Sequence, residues 1–134
     1  MGVKIDMRNS SNPKALPSGD SLNNLANSLR IFAKQRDWEQ FHTPKNLAMA
    51  LSVESAELLE HFQWLTPEQS SSLTSTDKNE VALEIADVLI YLTRLSDIVG
   101  VDPIVAATKK MKINARKYPV IKSKGNAKKY TALG

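Results

Sequence analysis

The chain has 134 residues, with 18 Lys and Arg against 14 Asp and Glu, no cysteine, 5 Gly and 6 Pro, a composition that fits one compact domain with short tails. Without cysteine there is no disulfide framework, thiolate nucleophile or thiolate zinc site, and His42 and His61 are too few for a His-rich one; a reducing, cytoplasmic setting is expected. The longest aliphatic and aromatic run, Val88 to Leu92, falls far short of the roughly 20 residues of a membrane span, and the opening MGVKIDMR lacks a signal-peptide apolar region.

Charge is distributed unevenly. Residues 1–102 hold 9 basic and 14 acidic residues (9 − 14 = −5), whereas residues 103–134 hold 9 basic and none acidic (+9). A basic end of this kind binds nucleic acid, a membrane surface or phosphates, or folds back on the acidic part of its own chain. The hydrophobic content of 42% suffices for a core but leaves room for help from a partner subunit.

In chain order, residues 8–21 mix Pro, Ser, Asn and Gly without periodicity and read as part of a flexible leader over 1–20. Leu22, Leu25, Leu29 and Phe32 then recur at helical spacing, predicting a first helix to about Arg36, capped by Asp20 or Ser21. Thr43 is a good N-cap and Pro44 suits the first helical position, so a second helix is expected from Pro44 to about Phe62. Thr66-Pro67-Glu68-Gln69 repeats that signal with a capping-box Gln before a Ser/Thr-rich loop. Asp77-x-x-Glu80 is expected to cap the third main helix, whose apolar residues Val81, Ile85, Val88, Leu92, Leu95 and Val99 hold a 3.6 period until Gly100. Asp102-Pro103 opens a fourth, ending near Lys117 ahead of Pro119, and the rest lacks clear periodicity. No strand pattern of useful length occurs. The expected fold is all-α, a bundle of four main helices over residues 21–118, followed by a basic C-terminal tail over 119–134.

Acidic residues fall where apolar ones belong. At about 100° per residue, Glu54 lies in the middle of the stripe formed by Leu47, Ala50, Leu51 and Leu58, with Glu57 at its edge. On the third main helix Glu84, Asp87 and Tyr91 cluster on one flank of the stripe carrying Val81, Val88, Leu92 and Leu95. Burying several ionised carboxylates is prohibitive unless cations neutralise them. Hard divalent ions such as Mg²⁺ favour such oxygen ligands. An ion-pair network with Lys109, Lys110, Lys112 or Arg116 meets the same need, and spacing alone leaves both readings open. A di-iron bundle, which uses Glu-x-x-His on two helices, is set aside, because only Glu39-Gln40-Phe41-His42 has that spacing.

These residues resemble the all-α nucleoside triphosphate pyrophosphohydrolases of the MazG-like group, and within it the dCTP pyrophosphatase branch. The resemblance runs from about Leu22 to Leu133. Its hallmark is Glu54-x-x-Glu57, 26 intervening residues, and Glu84-x-x-Asp87. Around it stand Arg36-Asp37-Trp38-Glu39-Gln40-Phe41-His42, Phe62-Gln63-Trp64, Asp87-Val88-Leu89-Ile90-Tyr91-Leu92, Lys117-Tyr118-Pro119-Val120 and Lys129-Tyr130-Thr131. The resemblance implies Mg²⁺-dependent hydrolysis of a dNTP, such as dCTP or a modified dCTP, to the monophosphate and pyrophosphate, serving to clean the nucleotide pool. It implies Glu54, Glu57, Glu84 and Asp87 as metal ligands and catalytic groups, with each site shared in a homo-oligomer, expected as a tetramer. Lys110, Arg116 and Lys129 are candidates to grip phosphate, since an Arg fork binds two oxygens and Lys supplies a point charge. Trp38 and Trp64 flank the second helix and could sandwich a base by stacking. Tyr91, Asn114, Tyr118 and His42 are further candidate nucleotide contacts, whereas His61 reads as a structural histidine. The pattern is departed from at Leu29, where eukaryotic relatives of the dCTP-preferring kind carry a histidine facing the base.

A non-enzymatic nucleic-acid-binding module would use the +9 C-terminal segment, with steep salt dependence, yet leaves the inward carboxylates unexplained. A purely structural bundle would instead pair those carboxylates with lysines across subunits.

Overall fold

In a computed structural model of the protein, residues 19–134 are described; the leader expected over 1–20 lies outside them apart from its last two residues, which begin a helix. Four long helices dominate: α1 (Gly19–Gln35), α2 (Pro44–Glu60), α4 (Ser75–Val99) and α5 (Pro103–Lys117). Shorter helical turns lie between and after them: a 3-10 turn at Glu39–Phe41, α3 (Pro67–Ser70), α6 (Val120–Ser123) and a 3-10 turn at Tyr130–Ala132. No strand occurs among the described residues, in line with the all-α expectation.

Capping chemistry sets most helix boundaries. Thr43 Oγ1 accepts from the Asn46 amide with Pro44 at the first position of α2, and Thr66 with Gln69 closes the expected capping box on α3. Two starts differ from the sequence expectation. Since α1 already begins at Gly19, Asp20 and Ser21 lie inside its first turn instead of capping it. Helix α4 starts at Ser75, because Thr74 is its cap and Asp77 is the third-residue partner of the box, each accepting from the other's backbone amide. Gly100 ends α4 in the left-handed region at φ 71°, and Asp102 Oδ1 accepts from the amides of Ile104 and Val105 to open α5.

Between α1 and α2 the chain turns through a left-handed Asp37 (φ 54°). The Trp38 amide donates to Ala33 O and the Asp37 amide to Lys34 O, the two-bond closure of a Schellman motif with aspartate in the usual glycine place. Gln40 Nε2 donates to both Asp37 O and Asp37 Oδ2. This turn swings Trp38 and His42 back toward α4; the Trp38 ring stands edge-on to Phe32 at 5.7 Å.

Helix α4 is the packing axis, lying chiefly against α2 and to a lesser degree against α1. Leu47 of α2 is 2% exposed, and Ala33 and Val81 are the other buried apolar residues among those described; burial of a leucine contributes about 2 kcal/mol. The apolar period of α4 divides between two faces. Val81 is buried with Val88 and Leu95 partly covered, whereas Ile85, Leu89, Leu92 and Val99 remain exposed. Helix α5 has no comparable packing on the other helices, and its Ile104, Val105 and Met111 are exposed. Beyond it the tail folds onto the end of α5: Tyr118 meets Tyr130 edge-on at 5.9 Å and the Lys117 ammonium lies 4.8 Å from the Tyr130 ring.

Asp37→Val should lose about 1–2 kcal/mol in denaturant unfolding, because a β-branched side chain strains the left-handed position. Asp37→Gly should lose much less. Equal losses would show that the turn does not depend on this conformation.

Candidate metal centre and adjoining cavity

One turn of α2 and one turn of α4 supply the acidic site. Side-chain oxygens of Glu54, Glu84 and Asp87 all lie within 4.8 Å of one another, and all three residues are partly buried. Glu57, one turn further along α2, is exposed and hydrogen-bonds to Glu54 without joining that tight group. Desolvation raises the Glu54 pKa first, followed by the hydrogen bond and charge of Glu57 and then the charges of Asp87 and Glu84. Glu84 Oε2 is buried with no hydrogen-bond partner, a condition costing about 1–3 kcal/mol or more for a charged group. His61 Nε2 approaches Glu84 Oε1 at 3.9 Å.

No lysine or arginine is paired with these carboxylates among the described residues; the ion pairs found there join Arg30 and Arg94 to Asp97, and His61 to Glu84. The network with Lys109, Lys110, Lys112 or Arg116 that spacing had left open is therefore not formed within the described chain. Three converging carboxylates, one with an orphaned oxygen and another held toward its protonated form by burial and its neighbours, fit a hard divalent cation such as Mg²⁺.

Beside the carboxylates opens a cavity of about 320 Å³ lined by Leu29, Phe32, Trp38, His42, Asp87, Ile90, Tyr91 and Arg94. Asp87 belongs to both features, so the acidic group and an aromatic-rimmed cavity share a wall. Tyr91 and Arg94 follow Asp87 at i+4 and i+7 on α4, one face of the helix by the 3.6 period. Leu29 and Phe32 come from α1, and Trp38 and His42 from the turn after it.

Other candidates lie apart from this cavity within the chain. Trp64, just after α2, is 85% exposed and is not among the lining residues. Lys110, Asn114 and Arg116 are exposed on α5, Tyr118 packs on Tyr130 beyond it, and Lys129 is exposed in the tail. Arg94, Phe32 and Ile90 line the cavity although their spacing alone does not single them out, and His61, structural by its sequence position, approaches Glu84. Arg94 carried a usable signal: a charged residue within Tyr91-Leu92-Thr93-Arg94-Leu95, two turns from Asp87.

The chain is similar to known proteins in sequence and in fold. Residues 49–133 match the MazG-like family. Bovine dCTP pyrophosphatase 1 is 39% identical over 134 residues, spanning 98% of this chain and 79% of that one. The human protein of the same name is 44% identical over 104 residues, which cover 76% of this chain and 61% of the human one. Among solved structures, a pyrophosphatase from Archaeoglobus fulgidus superposes with a TM-score of 0.71 at 45% identity, over 79% of this chain and 99% of that one. The chain belongs to the MazG-like family.

The raised Glu54 pKa carries a stability signature. Folding lifts it, so between the unfolded and folded values the folded state binds the extra proton and stability falls as pH rises through that window. Thermal melting without divalent ions should therefore fall through this group as pH rises above the ordinary glutamate range, and saturating Mg²⁺ at the higher pH should raise the midpoint by about 5 °C. Glu54→Gln should flatten both responses. A Mg²⁺ shift that survives in Glu54→Gln would remove this group from the metal site.

Proposed function

We propose that the chain is a nucleoside triphosphate pyrophosphohydrolase that cleaves a dNTP between the α- and β-phosphates, with dCTP or a modified dCTP as the first candidate substrate. The observation that carries this reading is the double membership of Asp87, in a carboxylate group suited to a hard cation and in the wall of an aromatic cavity. A nucleotide whose base occupies the cavity has its phosphates beside the acidic group. The names of the related proteins, dCTP pyrophosphatase 1 in cattle and humans, support the reaction and the choice of substrate.

Glu54, Glu84 and Asp87 would hold Mg²⁺, with Glu57 adjoining. When bound, the ion neutralises phosphate oxygens and lowers the pKa of the attacking water. Glu57, exposed one turn from Glu54, would serve as the general base toward the attacking water. Trp38 offers a stacking face, and Tyr91, one turn beyond Asp87, offers its hydroxyl to the sugar or phosphate. His42 completes the cavity wall.

The candidate phosphate-gripping cations Lys110, Arg116 and Lys129 lie outside the cavity lining, whose Arg94 is already paired with Asp97, which supports an assembly of copies. The exposed Ile85, Leu89, Leu92 and Val99 of α4, together with the unpacked α5, give a second copy of this chain an apolar surface to bury. A homo-oligomer, a tetramer by family resemblance, brings Lys110, Asn114, Arg116, Tyr118 and Lys129 of one subunit toward the acidic group of another, and Trp64 with them. The net charges of the two segments, −5 and +9, favour that meeting. Residues 119–134 then serve as a basic segment at a neighbouring site.

Pyrophosphate release with Mg²⁺ across the dNTPs, NTPs and 5-methyl-dCTP, beside a metal-free control, tests the reading. Metal-dependent release with one preferred base is the expected result. Alanine at Glu54 or Asp87 should lower turnover by about 100-fold or more with helicity retained. Stabilisation by DNA, with no nucleotide cleaved, would instead favour the nucleic-acid-binding module.

A further inference from the structure

Arg94 is 5% exposed on α4, an ionised group that the proposed hydrolysis leaves without a task. Its Nε–H donates to His42 Nδ1 at 3.1 Å and its Nη1 donates to Asp97 Oδ2 at 3.2 Å. Arg30 donates from Nε to Asp97 Oδ2 at 2.7 Å and from Nη2 to the other oxygen. Asp97 therefore sits between two guanidinium groups, and the Arg30 hydrogen bond, above all, holds its carboxyl below the usual range. Such a partner is what keeps a buried arginine from being an uncompensated charge.

The consequence falls on His42. A guanidinium has donors and no acceptor, so Nδ1 must offer its lone pair and the single proton of the neutral ring sits on Nε2. Burial and then the Arg94 charge push the His42 pKa down, against a smaller upward pull from Glu39, which keeps the ring neutral. Trp38 stands edge-on to the ring at 6.4 Å. His42 lines the cavity together with Arg94 and Asp87. The ring nitrogen left for a ligand there is a donor only.

We propose that Arg94, braced by Asp97 and Arg30, is a positioning residue that holds His42 as its Nε2–H tautomer, so that the cavity selects nucleobases whose ring nitrogen is a bare acceptor. The inference rests on the cavity being the base site of the proposed pyrophosphohydrolase. Cytosine presents N3 and adenine N1 as acceptors, whereas thymine and uracil present N3–H and guanine N1–H. A free imidazole changes tautomer to accept from those N–H groups, and a locked one cannot. Two opposed donors left unpaired cost roughly 10-fold to 100-fold in affinity.

The test uses the full chain with ¹⁵N-labelled imidazole. Without nucleotide at neutral pH, His42 should show protonated Nε2 and unprotonated Nδ1; an Nδ1–H or mixed pattern overturns the proposal. Titration with dCMP and dTMP should then give wild-type discrimination of about 10-fold or more for dCMP. In Arg94→Met the His42 tautomers should mix and the discrimination should fall most of the way to unity, with KM and not kcat carrying the change in turnover assays. Asp97→Asn, which keeps the shape of the brace, should give an intermediate loss and decides the matter should Arg94→Met fail to fold. Unchanged discrimination in a folded variant overturns the proposal. A chain that releases no pyrophosphate yet keeps the tautomer and the dCMP preference would sink the hydrolytic reading alone.

Discussion

Like charges brought together at the contact between α2 and α4 are the constraint on which this structure turns. Glu54, Glu84 and Asp87 converge within 4.8 Å, on the pair of helices that makes the main packing contact of the chain. Apolar side chains there would give a better core. The chain instead carries a group in which burial and then the neighbouring carboxylates raise the Glu54 pKa and Glu84 Oε2 is left without a partner. A site of this kind trades stability of the ion-free state for affinity toward a hard cation.

A second electrostatic device lies two turns along the same helix and follows the opposite rule. Where the acidic group is unbalanced, Arg94, Asp97 and Arg30 form a compensated set. Both devices border one cavity, and α4 connects them through Asp87, Tyr91 and Arg94 along one face. Helical periodicity thus places a negative wall and a fixed hydrogen-bond geometry two turns apart on one face. In the nucleotide reading we propose, the first meets the triphosphate and the second meets the base.

The small core has a related cause. With Ala33, Leu47 and Val81 as the buried apolar residues, and Ile121 97% exposed in α6, the described chain leaves much of its apolar surface uncovered. Helix α5 holds its shape through the Asp102 cap and its own backbone bonds more than through packing on other helices. An assembly in which one copy covers the α4 face of another gives both features a purpose, and it reunites the basic half of the chain with an acidic site.

Helix positions were legible in the sequence because caps and periodicity are local. Thr43-Pro44, Thr66 with Gln69, Gly100 and Asp102-Pro103 each act within about four residues of themselves. The inward acids could be read for the same reason, since placing Glu54 among Leu47, Leu51 and Leu58 requires only arithmetic around one axis. Thr74 as the cap of α4 was missed because Asp77 imitates a cap when its role as box partner is not considered. What the residues determined by themselves was an all-α chain with acids on apolar stripes and its positive charge at one end. Tertiary structure alone decided that Glu57 stays outside the tight acidic group, that Trp64 stands away from Trp38, and that Arg94 reaches back 52 residues to His42. Those outcomes depend on how α1 and the turn after it lie across α4, a relation between distant segments that no local pattern encodes.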